Sequence, residues 1–198
     1  MSQKPSSDLT ALARLAVPEI LSLPKAGKTA GPDHRVALYS MLASIEPAEG
    51  VSEPVVQTAT TLLAKESHEA ATAVLASALS PHIRFLISHS VLPSEVAPLI
   101  AKEMGSSKPA SRRAFCSLAG SVFFTGNDDS AGTSALLETK SGASFAEAVL
   151  PGFEAALKAV ASNPINANPF EGYIAISVLL GPISGKFGMN LLLFFLAF

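Results

Sequence analysis

The 198-residue chain holds a single cysteine, Cys116, so no intrachain disulfide can form. A reducing compartment is compatible with that. Charge is scarce too. Only 15% of residues are Asp, Glu, Lys or Arg, and the net charge is −2. A dedicated nucleic-acid binder shows a basic balance with clustered Lys and Arg, so that class is excluded, although local basic patches are not. No segment alternates apolar and polar residues for long, which removes the mark of a half-buried strand. No uninterrupted apolar run reaches the roughly 20 residues of a membrane span. Met1 to Asp8 is polar and lacks the apolar core of a signal peptide. What is abundant is apolar side chain, at 48%. Disorder requires low hydrophobicity and high charge, so this chain folds. If compact, it hides about 70% of its unfolded surface. Its apolar excess implies that some surface meets neighbouring protein.

Helical periodicity dominates. Leu38, Met41, Leu42 and Ile45 fall at i, i+3, i+4, i+7, which puts four side chains on one helix face. Phe115, Leu118, Ala119 and Val122 repeat the pattern. Further stripes run through Val55, Ala59, Leu62 and Leu63; through Leu92, Val96, Leu99 and Ile100; and through Phe145, Val149, Phe153, Leu157 and Val160. Ser144 with Glu147 reads as a capping box, and Asn168, Pro169 and Glu171 as another helix start. Ser52 before Glu53 and Pro54, and Ser107 before Pro109, are also helix starts. Pro18, Pro81 and Pro151 each remove a backbone donor within a helical pattern, so a kink or break is expected there.

These signals predict helices near 8–23, 32–45, 53–66, 67–89, 93–105, 109–124, 144–162 and 169–181. Short links make consecutive helices antiparallel. Longer loops run from Pro24 to Gly31 and from Thr125 to Gly142. Pairing 32–45 with 53–66, 67–89 with 93–105, and 109–124 with 144–162 gives hairpins at about the 40- to 47-residue spacing of HEAT and armadillo repeats. The expected fold is all-α: a HEAT/armadillo-like α-solenoid of antiparallel helical hairpins, one segment over 1–187. The apolar tail, 188–198, is expected to be a non-native end, because a solenoid terminus carries a polar capping face.

Motifs for chemistry fail on context. Gly27-Lys28-Thr29 ends like a phosphate-binding loop, but Ser22 stands where the loop's first glycine belongs and no strand precedes it. His34, His68, His82 and His89 lack the close ligand spacing of a zinc site. Cys116, beside Phe115 on an apolar face, reads as a buried inert thiol. Asn127 to Glu138 has the span of a calcium loop, yet Ala131 and Thr133 occupy ligand positions, so a solvated turn is expected. No catalytic constellation, cofactor site or metal site is expected. Lys108, Arg112 and Arg113 lie within about one helical turn and are the candidate phosphate contact. A plain solvated helix face accounts for the same three residues.

Short sequences in the middle of the chain carry a family likeness. They are Leu62-Leu63-Ala64-Lys65-Glu66-Ser67-His68-Glu69, Ser111-Arg112-Arg113-Ala114-Phe115, the helix through Leu150, Phe153 and Leu157, and Glu171-Gly172. Pro32-Asp33-His34-Arg35-Val36-Ala37-Leu38-Tyr39-Ser40-Met41-Leu42 adds a fungal flavour. Over residues 15 to 187 the chain resembles the N-terminal HEAT-repeat region of the large ribosome-associated translational activator of general amino-acid control. The resemblance implies a cytoplasmic fragment of a scaffold, not an enzyme. Its implied partners are the ribosome, through the parent protein, adjacent HEAT repeats, and indirectly the kinase that phosphorylates initiation factor two in amino-acid starvation. It implies no cofactor and no membrane. Another HEAT-type adaptor, for transport or assembly, would share the same architecture.

Overall fold

The computed structural model describes residues 31–123 and 138–162, together with Leu15, Ser22 and Leu136. Among these residues there are six long helices and no strand. They are α1 (Pro32–Ala43), α2 (Ser52–Lys65), α3 (Glu69–Ser88), α4 (Val96–Met104), α5 (Pro109–Phe123) and α6 (Lys140–Ser162). The expected helices 8–23 and 169–181, the Gly27–Thr29 loop, most of the Asn127–Glu138 turn and the tail 188–198 lie outside the described residues.

The helices form two layers. In one, α3 lies between α1 and α5; in the other, α4 lies between α2 and α6. Contacts of α2 with α3 and of α4 with α5 join the layers. This alternation is what a stack of antiparallel hairpins produces, each hairpin giving one helix to each layer. Over the described residues the chain is thus an α-solenoid, but the consecutive helices that pack across the layers are α2 with α3 and α4 with α5, so the expected pairings of 32–45 with 53–66 and of 67–89 with 93–105 are shifted by one helix. The predicted stripes supply the core: Leu38 and Leu42, Val55 and Leu63, Val96 and Ile100, Phe115 and Leu118, and Phe145, Val149 and Phe153 are all buried. Met41 departs from its stripe and is 52% exposed. Helix α3 has the length and hydropathy of a membrane-crossing helix, but 61% of that stretch is buried inside the protein. It is the central helix of its layer.

Two further expectations are corrected. Neither Pro81 nor Pro151 breaks its helix: both α3 and α6 run through the proline. Each proline lies on an exposed face, as do Ser77 and Glu147 four residues earlier. Water reaches the carbonyl that loses its partner, so the helix tolerates the missing bond. The Ser144–Glu147 capping box is absent, because α6 starts a turn earlier at Lys140 and Ser144 lies inside it. Thr139 caps instead, its Oγ1 accepting from the Gly142 N–H at 2.9 Å. Ser52 also sits inside its helix, where its hydroxyl serves a buried network described below.

The neighbours α4 and α6 approach closely through small residues. A Cβ on Gly152 would stand 2.8 Å from the Ala101 Cα and carbonyl oxygen, and one on Gly105 would stand 3.2 Å from the Ala155 Cβ. The neighbours advance together along both helices, so α4 and α6 are parallel, as repeats in a solenoid must be.

Candidate functional site

The amino ends of α1, α3 and α5 share one edge of the protein, as two cross-links between them show. Arg35 of α1 reaches Glu66, just before α3. Arg113 of α5 reaches Glu69, the first residue of α3. The two links differ in kind. Glu66 is a saturated acceptor: Arg35 donates from Nε at 2.8 Å and from Nη2 at 3.1 Å, and the Tyr39 hydroxyl donates at 3.2 Å. The backbone N–H groups of Ser67 and His68 complete the set at 2.9 and 3.0 Å. Burial alone would raise the Glu66 carboxyl, but the Arg35 guanidinium and the two backbone donors outweigh it and hold its pKa below the usual carboxylate value. The Glu66 hydrogen bond in turn raises Arg35. Burial, then the Glu66 charge, push Tyr39 up to about 12. This cluster fixes α1 onto the start of α3.

The three basic residues singled out in the sequence do not play equal parts here. Lys108 is exposed, just ahead of Pro109, the first residue of α5. Arg112 is 7% exposed, and its Nη1 donates to the Ser106 carbonyl at 3.0 Å. Ser106 Oγ accepts from the Lys108 N–H at 3.2 Å, and the Ser111 hydroxyl donates to Glu103 at 2.9 Å. Arg112 therefore pins the α4–α5 turn that presents Lys108. Arg113 is half-buried, with its Nη2 3.6 Å from Glu69 Oε1. The first turn of α5 contains no acidic residue, so its positive dipole end adds to Lys108. Arrayed this way, the edge offers electrostatic adhesion.

The histidines are dispersed. His82 is buried, 1% exposed, and its Nδ1 lies 3.1 Å from Ser52 Oγ. Ser52 Oγ accepts from the Ala48 N–H at 3.1 Å, and the Ile45 carbonyl also bonds to His82. With Nε2 carrying the proton, every group in this chain is satisfied, and the connection between α1 and α2 is tied to α3. Burial lowers His82 to about 4, although the Ile45 carbonyl opposes the shift. His89 stacks on Phe85 at 4.0 Å between ring centroids. Cys116 is buried. Among the described residues no group of three His, Cys, Asp or Glu side chains is placed to hold a metal ion. Sequence reasoning missed Glu66 and Glu69, because their partners are 31 and 44 residues away and no local spacing signals them.

Fold and edge together define a class: an α-solenoid of helical hairpins, a scaffold architecture with a small basic turn on one edge. The family described as general control nonderepressible 1 (Gcn1) N-terminal matches residues 32–191, beginning where α1 begins. The chain belongs to that family, one of scaffolds and regulators. No curated protein and no solved structure matches the chain.

Proposed function

We propose that this chain is a non-catalytic scaffold segment of a ribosome-binding translational activator that promotes activation of the initiation-factor-two kinase in amino-acid starvation. It works in the cytoplasm, stacked on adjacent HEAT repeats of a parent protein, and it needs no cofactor. Membership of the Gcn1 N-terminal family carries this reading. The local contact is assigned to the turn before α5. Lys108 and Arg113 face phosphate, and Arg112 positions the turn by holding the Ser106 carbonyl. Contacts with phosphate release counterions, so binding weakens as salt rises.

Co-sedimentation of the chain with ribosomes at low and moderate salt tests the reading. The expected result is salt-sensitive binding that Lys108→Glu with Arg113→Glu abolishes, while circular dichroism stays unchanged. An Arg112→Lys variant, which keeps the charge but loses the planar fork, should bind poorly if Arg112 works through geometry. Unchanged sedimentation of the charge-reversed chain would reduce the turn to a solvated helix face.

A further inference from the structure

We propose that the edge opposite the basic turn carries a docking groove for a basic peptide, one whose apolar side chains are flanked by lysine or arginine. The groove is open, about 610 Å3 in volume, and lies where α3 ends, α6 begins and the α1–α2 connection crosses. That size falls within the roughly 300–1,000 Å3 of ligand sites. Its walls are apolar, formed by Pro47, Pro81, Phe85 and Leu136. Its two hydroxyls have spent their protons on backbone: Ser88 donates to the Phe85 carbonyl at 2.8 Å and Thr139 to the Leu136 carbonyl at 2.7 Å. His89 stacks on Phe85 at 4.0 Å between ring centroids and holds the wall in place. A rigid apolar wall costs little ordering when a side chain docks on it.

Charge selects the occupant. Arg84 also lines the groove, but it is engaged within the protein, as is Glu49 of the α1–α2 connection, and the two charges offset each other. The other charged residues on this edge are Glu46 beside Pro47, Glu53 near the start of α2, Glu95 just before α4, Glu138 beside Thr139, and Lys140 at the start of α6. All five are exposed. Four carboxylates against one ammonium leave this edge at −3, more negative than the −2 of the whole chain. Glu46 and Glu138 adjoin lining residues in the chain, where consecutive Cα atoms are about 3.8 Å apart. Their carboxylates thus act on the groove within about one screening length, roughly 10 Å at 0.1 M salt. A basic peptide gains both the apolar walls and this field, whereas an acidic one is repelled. Helix α3 has 20 residues, so this edge stands about 30 Å from the basic turn and binds independently of it.

The test measures fluorescence anisotropy of three labelled peptides with the whole chain. One carries leucine and phenylalanine flanked by lysines, the second has glutamate for each lysine, and the third has serine for each apolar residue. The first should bind one to one and weaken as salt rises. The other two should bind about tenfold more weakly or worse, the second for want of charge and the third for want of an apolar anchor. Glu46→Gln with Glu138→Gln, both at exposed positions, should weaken the first peptide by about two- to tenfold. Pro81→Arg puts bulk and positive charge into the groove while improving helix propensity, so it should abolish binding with the circular dichroism retained. Equal or tighter binding of the glutamate peptide would overturn the basic occupant. Binding that survives Pro81→Arg would overturn the groove as its site. Dimerisation in size-exclusion chromatography that Pro81→Arg removes would make a second copy the occupant and overturn the proposal. If none of the peptides binds, the groove is no peptide site.

Discussion

Replacing Gly152 by alanine puts the close approach of α4 and α6 to a direct trial. A Cβ built there would lie 2.8 Å from both the Cα and the carbonyl oxygen of Ala101, and 3.1 Å from the Met104 Cβ. Ordinary carbon contacts are about 3.5–4.0 Å, so the helices must separate by roughly 0.7 Å or more. The obstacle is backbone, which cannot rotate aside as a side chain can. Overpacking of this kind costs about 1–3 kcal/mol. Alanine recovers about 1 kcal/mol of helix propensity that glycine forfeits. The net expectation is a loss of about 1 kcal/mol, where an open site would gain about 1 kcal/mol. Leucine in the same place adds bulk without further propensity, and its loss should reach about 3 kcal/mol or more. Urea denaturation followed by far-ultraviolet circular dichroism reads both variants. A Gly152→Ala protein as stable as the wild type, or more stable, would refute the contact and with it the tight packing of α6 on α4.

Other predictions follow from the ends of α3 and from its buried histidine. Ser90 closes α3 in the left-handed region at φ 57°, with the Val91 N–H donating to Leu86 and the Ser90 N–H to Ile87, the paired bonds of a Schellman cap. Ser90→Gly should therefore stabilise the protein by about 0.5–1 kcal/mol in the same denaturation assay; a loss would contradict the cap. His82 is held near 4, below its ordinary 6.5. The unfolded chain takes up a proton as pH falls through 6.5, while the folded chain refuses it until about 4. Stability is thus full above pH 6.5 and declines from there to about 4, by up to about 3 kcal/mol at about 1.4 kcal/mol per tenfold change in proton affinity. The Glu66 carboxylate, held below its ordinary value of 4.5, adds a loss that sets in only below that pH. Urea midpoints across this range should show the decline, and His82→Gln should flatten its upper part; an unchanged slope in His82→Gln would assign the decline to other groups.

The helices were legible because they are written in local periodicity, but which neighbours pack together is a tertiary fact, and the pairs α2 with α3 and α4 with α5 were not the ones expected. Phe115, Leu118, Ala119 and Val122 are all buried, as their spacing requires, and α5 begins at the proline that marked it. Prolines misled because their effect depends on whether the orphaned carbonyl meets water, and the exposed faces at Ser77 and Glu147 are a tertiary fact. Ser144 and Glu147 misled for the opposite reason. Their spacing is correct for a cap, but Thr139 starts the helix earlier and leaves them inside it. At the candidate site, the sequence located the cluster Lys108, Arg112 and Arg113 but not its division of labour. Whether an arginine faces solvent or a neighbouring carbonyl is decided by the path of the chain before it, here the turn at Ser106. The links from Glu66 and Glu69 to their arginines cross from one repeat to the next, where no short spacing can announce them.

The proposal of a ribosome-contacting scaffold is tested most directly by amide hydrogen exchange of the whole chain, alone and bound to ribosomes. Salt-sensitive protection is predicted in the α4–α5 turn from Gly105 through Arg113, extending to the start of α3 at Glu69. Binding that leaves this edge unprotected, or no binding at low salt, would contradict it.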